Sequence, residues 1–140
     1  MFSYYFRLIR LYNLLIGATT VCIMSFLLNI QNYYLIFLCS LEVMSIMAFG
    51  NLMNDYLDRQ PDKINHPSRV LPQNKVNLKE VKLLNIILLI LIFILSLPLN
   101  YFCQLLIYFL IVPLIVLYNF YLKNTPLLGN ITIALLLGFI

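Results

Sequence analysis

Residues 51–72 read NLMNDYLDRQPDKINHPSRVLP. This polar stretch contains the single histidine of the chain, His66, and three of its five acidic residues, Asp55, Asp58 and Asp62. On both sides of the stretch the chain consists mainly of leucine, isoleucine, phenylalanine and tyrosine. The pattern predicts apolar helices on either side of one polar connection, and any chemistry of the protein is expected there.

The composition of the 140-residue chain is that of an integral membrane protein. Hydrophobic residues make up 63% and charged residues 10%, against about 45–50% and 25% in soluble domains, and the mean hydropathy is +0.95. The net charge of +4 comes from basic residues that flank apolar runs. These residues form no basic surface stripe, so they predict membrane topology and surrounding lipid rather than a nucleic-acid partner.

The apolar runs predict an all-α fold, a polytopic transmembrane helix bundle with four full spans and a truncated fifth. A span needs about 20 residues, and the last run is still apolar at Ile140, where the sequence stops. We therefore expect residues 1–140 to be the amino-terminal part of one larger domain. Pro113 predicts a kink in the fourth span, and the third span is expected to begin before Leu83. The predicted apolar segments are residues 11–28, 33–53, 83–97, 101–121 and 127–140.

The distribution of basic residues predicts the orientation in the membrane. If successive spans cross in opposite directions, all nine Lys and Arg residues lie on the side of the amino terminus, the polar connection and Lys123. The turns on the other side, residues 29–32 and 98–100, contain no basic residue. The positive-inside rule makes the first side cytoplasmic. We expect a multi-pass protein of the cell (inner) membrane with a cytoplasmic amino terminus and aspartate-rich connection.

Asn54, Asp58 and Asp62 follow one another at intervals of four residues. On a helix this spacing forms a slowly turning stripe along one face. Two carboxylates and an amide oxygen can bind Mg²⁺, which prefers oxygen ligands and completes its shell with water and substrate phosphates. Pro61 disturbs a regular helix, so we expect the helix to end or kink at about Arg59. The alternative is an ordinary solvated loop.

Residues 54–69 read NDYLDRQPDKINHPSR and resemble the first aspartate-rich motif, NDxxDxxxD followed by NxPxR, of the UbiA superfamily of intramembrane prenyltransferases. Arg10-x-x-Asn13 resembles the opening motif of that family. Residues 118–123, YNFYLK, resemble its tyrosine-to-lysine signature after the fourth helix, and Gly129-Asn130 resembles the start of its fifth helix. The resemblance extends over the whole chain from Arg7 onward.

The resemblance implies a mechanism. Enzymes of this family hold Mg²⁺ and the diphosphate of a polyprenyl donor between two aspartate-rich motifs, and the allylic carbocation alkylates a lipid or aromatic acceptor. The implied metal ligands are Asn54, Asp58 and Asp62; the implied catalytic residues are Asp58, Tyr118 and Lys123; the implied substrate contacts are Asn13, Asp55, Arg69 and Lys123.

Several of these residues have simpler interpretations when they are taken singly. Lys123 is then an interfacial anchor, Tyr118 belongs to an aromatic belt, and Arg10 is a topology charge. Glu42 is the one acidic residue inside a predicted span, which makes it a functional hypothesis by default. We expect Glu42 to be protonated or hydrogen-bonded between helices rather than catalytic.

The spacing between Asp62 and Pro72 resembles the digeranylgeranylglyceryl-phosphate synthase and chlorophyll synthase branches of the family more than the 4-hydroxybenzoate branch. The Lys123 turn with Gly129-Asn130 resembles the first of these, which implies a geranylgeranyl-type donor and a phosphoglycerol lipid or similar acceptor. Val70 and Gln73-Asn74 depart from the family pattern, although asparagine can adopt the left-handed turn that glycine would supply. Both departures affect the loop more than the implied ligands.

The second aspartate-rich motif of the family has no counterpart here, since Glu80 is the only acidic residue after Asp62. We therefore expect prenyltransferase activity only if a missing half, or a second chain, completes the site. The rival hypothesis is a small non-catalytic multispan membrane protein or an inactive fragment, in which the aspartates are solvated loop charges.

Overall fold

The computed structural model describes residues 2–138, and all regular secondary structure in that range is helical. A π-helical turn, Ile107–Ile111, and a 3₁₀ turn, Leu122–Asn124, lie between α-helices. The α-helices are α1 (Phe2–Leu8), α2 (Leu11–Leu27), α3 (Tyr33–Leu57), α4 (Asp62–Asn65), α5 (Leu78–Ser96), α6 (Tyr101–Leu106), α7 (Val112–Phe120) and α8 (Pro126–Gly138).

Asparagine side chains define where three of these helices begin. Asn32, Asn77 and Asn100 precede α3, α5 and α6, and each accepts a hydrogen bond from a backbone N–H of the first turn, at 3.1, 2.9 and 2.8 Å. The first N–H groups of a helix have no partner inside it, so such caps stabilise its start. The cap at Asn77 confirms the expectation that the third long helix begins before Leu83.

Two segments are long and apolar enough to cross a membrane, Tyr33–Leu57 and Tyr101–Phe120. Helices α2 and α8 are apolar but shorter, and α5 begins with the charged sequence LKEVK. Large apolar side chains point outward, such as Phe26 and Phe109, which are 81% and 76% exposed. A water-soluble surface rarely carries so much apolar area, and the described residues therefore support an integral membrane helix bundle with two clear spans.

A π-helical turn, Ile107–Ile111, lies just before Pro113, where the sequence predicts a kink. Proline cannot donate a backbone hydrogen bond, and its ring collides with the carbonyl of the preceding turn. A π-helical turn is one of the ways in which a helix accommodates such a break. Residues 101–120 therefore form one long helical segment with a local change of backbone geometry in its middle.

Helix α3 is the centre of the bundle and packs against α2, α5 and α7. At its end, Leu52 is fully buried in a cluster with apolar residues from α1, α5 and the polar connection. The other members of this cluster are Leu8, Val70, Leu71, Val76 and Val81. Their burial folds the connection back against α3, and this positions its charged residues.

Two further features of the connection fix its path. Asn74 has a φ of 54°, which confirms the expected left-handed turn at the position of a family glycine. The hydroxyl of Tyr5 in α1 donates a hydrogen bond to the carboxylate of Glu80 at the start of α5. This hydrogen bond raises the pKa of Tyr5, and it joins α1 to the far end of the connection.

Candidate functional site

Helix α3 ends where the sequence predicts. The backbone N–H of Asp58 closes it with a hydrogen bond of 2.9 Å to the carbonyl of Asn54. Pro61 then caps the start of α4, whose first residue is Asp62. The expected break near Arg59 is confirmed, and Asp58 lies at the end of one helix while Asp62 lies at the start of the next.

Asp55 and Asp62 belong to one network of ion pairs. The guanidinium of Arg69 lies 2.7 Å from the carboxylate of Asp62 and 3.8 Å from that of Asp55. Asp55 also lies 3.0 Å from the guanidinium of Arg10. Asp55 and Asp62 are only 8% and 4% exposed. A buried carboxylate needs a charged or hydrogen-bonding partner, and the two arginines supply it.

Asp58 has a different partner, because its carboxylate accepts a hydrogen bond from the ammonium group of Lys123. Lys123 lies in the 3₁₀ turn between α7 and α8. Helix α8 packs directly on this turn, since a Cβ atom added to Gly129 would lie 2.9 Å from the carbonyl oxygen of Leu122. Backbone packing therefore fixes the position from which Lys123 reaches Asp58.

The ion pairs join the break between α1 and α2, the end of α3, the polar connection and the turn before α8. Three carboxylates are matched by three cationic side chains. Opposite charges a few ångströms apart attract each other more strongly inside a protein than in water. A ligand that replaces these pairs must therefore supply both positive and negative charge.

A cavity of about 280 Å³ adjoins this network. Polar side chains line one part of it, namely those of Arg10, Asn51, Asn54, Tyr118 and Asn119. The rest of its lining is almost entirely valine, isoleucine, leucine and methionine from α3, the π-helical turn, α7 and α8. Its shape and chemistry suit a molecule with a charged end and an apolar body.

Most of the residues predicted for the site meet at this end of the bundle. Asn54 and Tyr118 line the cavity, while the five charged residues predicted there, Asp55, Asp58, Asp62, Arg69 and Lys123, take part in the ion pairs. Asn13 lies apart: its side chain is exposed, and it is not among the residues that line the cavity in the described part of the chain. Its contact with an acceptor stays a prediction.

The chemistry of the predicted metal ligands fits Mg²⁺. Within residues 2–138, no group of three or more His, Cys, Asp or Glu residues is arranged to hold a metal ion. Asn54, Asp58 and Asp62 offer two carboxylates and an amide oxygen, and one or two carboxylates suffice when phosphates and water complete the shell. The ion pairs engage Oδ1 of Asp58 and Oδ2 of Asp62, so the cations compete with a metal for these carboxylates.

Sequence reasoning did not assign Asn51 or Asn119 to the site. Asn51 precedes Asp55 by one helical turn and lines the cavity. Asn119 is 3% exposed, and its Nδ2 donates a hydrogen bond of 2.9 Å to the carbonyl of Ile115. The signal that could have identified both residues is an amide side chain inside an otherwise apolar helix.

Glu42 is also buried, with 3% of its surface exposed. Among residues 2–138, neither of its carboxylate oxygens has a hydrogen-bond partner. Of the two expected states, protonated or hydrogen-bonded between helices, the second is therefore not found there. Glu42 lines a second cavity of about 290 Å³ that adjoins the turns 29–32 and 98–100. It therefore lines a cavity other than the one that adjoins the ion-pair network.

Comparison with known proteins identifies similar chains. The profile of the UbiA prenyltransferase family matches residues 14–140. A digeranylgeranylglyceryl phosphate synthase of Methanococcus aeolicus is 36% identical over 143 residues, which cover 99% of this chain and 50% of the relative. The synthase of Saccharolobus solfataricus is 37% identical over 139 residues, 93% of this chain and 46% of the relative.

A solved structure from work on digeranylgeranylglyceryl phosphate synthase in membranes is also similar. It superposes with a TM-score of 0.88 at 33% sequence identity, over 98% of this chain and 50% of the other. The chain thus spans about half the length of the curated relatives and of the solved structure that it matches.

Proposed function

Because the chain belongs to the UbiA prenyltransferase family, we propose that its ion-pair network and the adjoining cavity bind the diphosphate end of a polyprenyl donor. In this proposal the chain is part of a larger enzyme that transfers a geranylgeranyl-type group to a lipid or aromatic acceptor. The names of the relatives favour a geranylgeranyl chain and a phosphoglycerol lipid.

One observation carries the proposal: a balanced set of cations and carboxylates lies at the polar end of a largely apolar cavity. A prenyl diphosphate has the matching distribution, with a highly charged head and a hydrocarbon tail. Arg10, Arg69 and Lys123 supply cations for phosphate oxygens, and arginine matches their geometry particularly well. Asn54, Asp58 and Asp62 supply oxygen ligands for Mg²⁺.

The reaction requires the allylic C–O bond of the donor to break with both electrons going to the diphosphate. Mg²⁺, when bound, neutralises charge on that leaving group. Lys123 and Arg69 contact the oxygens of the leaving diphosphate. Such preorganised cations lower the barrier, because negative charge develops on these oxygens in the transition state. Tyr118 lines the cavity, where it orients the diphosphate or stabilises the allylic cation. The acceptor then attacks that cation and releases a proton.

Donor binding exchanges partners within the site. Lys123 would leave the carboxylate of Asp58 for the diphosphate, and Asp58 would then be available to hold Mg²⁺. Arg69 and Asp62 exchange in the same way. The metal and the diphosphate bring charges of opposite sign, so each charged side chain gains a new partner as it loses the old one.

The proposal includes a topology. Helices α2, α3, α5 and the α6–α7 segment are four spans, α8 begins the fifth, and the amino terminus and ion-pair network face the cytoplasm from the inner membrane. The supporting observation is the distribution of the nine basic residues, which lie on one side in this arrangement. A second aspartate-rich motif comes from the remaining half of the domain or from a second chain, since the chain matches about half the length of its relatives.

A binding experiment tests the proposal. The 140-residue chain is reconstituted in nanodiscs, and its affinity for geranylgeranyl thiodiphosphate, which resists ionisation, is measured with Mg²⁺ and with EDTA. We expect binding that depends on Mg²⁺ and is weakened in Asp58→Asn. The matched control is Glu80→Gln, which removes a carboxylate outside the site but keeps an oxygen that can accept the hydrogen bond from Tyr5. Absence of binding, or binding that is indifferent to Mg²⁺, favours the non-catalytic membrane protein instead.

A further inference from the structure

Arg10 has a backbone conformation that is unusual for its residue type. Its φ and ψ are 57° and 58°, in the left-handed helical region. The other non-glycine residues with positive φ in the described chain are Asn29 and Asn74, and asparagine enters this region far more readily than arginine does. A conformation of this kind persists only where the surrounding structure holds it, and it is most frequent at functional sites.

Helix α3 holds both the backbone that precedes Arg10 and the Arg10 side chain. The side-chain amide of Asn51 donates a hydrogen bond of 3.1 Å to the carbonyl of Ile9. Asp55, four residues further along α3, lies 3.0 Å from the guanidinium of Arg10. Residues four apart lie on the same face of a helix. One face of α3 therefore binds both the backbone before Arg10 and the end of its side chain.

The backbone angles of Arg10 decide where its side chain points. Its N–H donates to the carbonyl of Arg7 at the end of α1, at 3.2 Å, and its carbonyl accepts from Asn13 at the start of α2, at 2.8 Å. Because both neighbouring helices are fixed, a change to negative φ would turn the Arg10 side chain away from Asp55. Arg10 and Asn51 both line the 280 Å³ cavity.

We propose that Asn51 is a positioning residue, which keeps Arg10 in the left-handed conformation and so holds its guanidinium at the mouth of the cavity, where it contacts the diphosphate of the donor. The inference rests on the proposed function, because the diphosphate is the anion that Arg10 would contact. Asn51 itself donates to a backbone carbonyl and acts on the ligand through Arg10. Its effect on binding must therefore disappear when Arg10 is absent.

A double-mutant cycle tests this dependence with geranylgeranyl thiodiphosphate and Mg²⁺ as the probe. Asn51→Ala should weaken binding about 3- to 10-fold, the range expected for the loss of one hydrogen bond. In the Arg10→Ala background, the same substitution should cause no further loss. The matched control is Asn85→Ala, since the amide of Asn85 donates to Val81 within its own helix, and its affinity should equal that of the unmodified chain.

Loss of fold would be a trivial cause of weaker binding, and the packing of α1 argues against it. Leu8 and Leu52 are 1% and 0% exposed in one cluster, so α1 stays attached to α3 by apolar contacts when the amide of Asn51 is removed. The ¹³C chemical shifts of Arg10 Cα and Cβ give a second readout that needs no ligand. They should report positive φ in the unmodified chain and in Asn85→Ala, and negative φ in Asn51→Ala.

The two readouts separate the inference from the proposed function. If the unmodified chain binds no thiodiphosphate, the proposed function fails for this chain, and the chemical shifts alone decide whether Asn51 positions Arg10. Two results would overturn the inference: Arg10 shifts that are unchanged in Asn51→Ala, or a loss of affinity from Asn51→Ala that is equally large with and without Arg10.

Discussion

The ammonium group of Lys123 is paired with the carboxylate of Asp58, although 65 residues separate them along the chain. In the proposed function Asp58 binds Mg²⁺ and Lys123 binds phosphate, so the ion pair between them engages the same two groups that the ligands would use. Either ligand alone would leave one charged group without its partner. The side chains of Lys123 and Asp58 are 15% and 25% exposed, and removing the partner of a largely desolvated charge is unfavourable. The two ligands should therefore depend on each other.

We expect positive linkage between Mg²⁺ and the prenyl diphosphate. The affinity for Mg²⁺ should rise about 5- to 150-fold when geranylgeranyl thiodiphosphate is saturating, which is the usual range of coupling between two ligands. Thermodynamic reciprocity requires the same factor for the thiodiphosphate when Mg²⁺ is added. Titration calorimetry on the chain in nanodiscs measures both factors, and equal Mg²⁺ affinities with and without the probe would contradict the exchange of ion pairs.

Lys123→Met should change the two affinities in opposite directions. Without the ammonium group the carboxylate of Asp58 is free, so Mg²⁺ alone should bind more tightly than it does to the unmodified chain. The affinity for the thiodiphosphate should fall about 10- to 100-fold, as expected for the loss of a hydrogen bond to a charged group. Lys79→Met is the matched control, because Lys79 is exposed at the start of α5. A fall in both affinities would count against the exchange.

The helices were predictable because local signals define them. The starts of α2 and α3 at Leu11 and Tyr33 agree with the predicted runs, since apolar composition, polar turns and a capping asparagine all act within a few residues. Pro61 similarly determines the break between Asp58 and Asp62. The family resemblance further predicted which polar residues of different helices act together in one site.

The pairing of charges was not predictable, because it depends on tertiary arrangement. Nothing in the sequence near Asp58 indicates that Lys123 is its partner, since their approach depends on how α7 packs on α3. Asn51 presents a similar difficulty, because its partner is the backbone carbonyl of Ile9 and a carbonyl has no sequence signature. The left-handed conformation of Arg10 also contradicts its residue preference, so only the structure reveals it.

Leu52→Ala should destabilise the protein and loosen the polar connection. Leu52 is 0% exposed, and its cluster includes Val70 and Leu71, which follow Arg69 directly. Removing a buried leucine side chain leaves a cavity and costs about 2–5 kcal/mol. We expect a lower free energy of unfolding, measured by titration with denaturant, and faster hydrogen exchange in residues 69–76. Ile64→Ala, at a side chain that is 85% exposed, should change neither; equal effects of the two variants would contradict the role of the cluster.

Gly129→Ala should displace the turn that carries Lys123. A Cβ atom at this position would lie 2.9 Å from the carbonyl oxygen of Leu122 and 3.5 Å from the Cα of Lys123. The 2.9 Å contact is too short, and it involves a backbone atom that no side-chain rotation can move, so the start of α8 must move away from the turn. We expect a loss of stability of about 1–3 kcal/mol, as for other overpacked sites, together with weaker binding of the thiodiphosphate.

The matched control for this clash is Gly138→Ala, in the same helix. A Cβ atom there meets nothing within 4 Å, and alanine is favoured over glycine in helices by up to about 1 kcal/mol, so this variant should be as stable as the unmodified chain or slightly more stable. Thermal unfolding and thiodiphosphate affinity are measured for both variants. If Gly129→Ala lowered stability but left the affinity unchanged, Lys123 would not depend on the close contact between α8 and the turn, and its proposed contact with the diphosphate would lose that support.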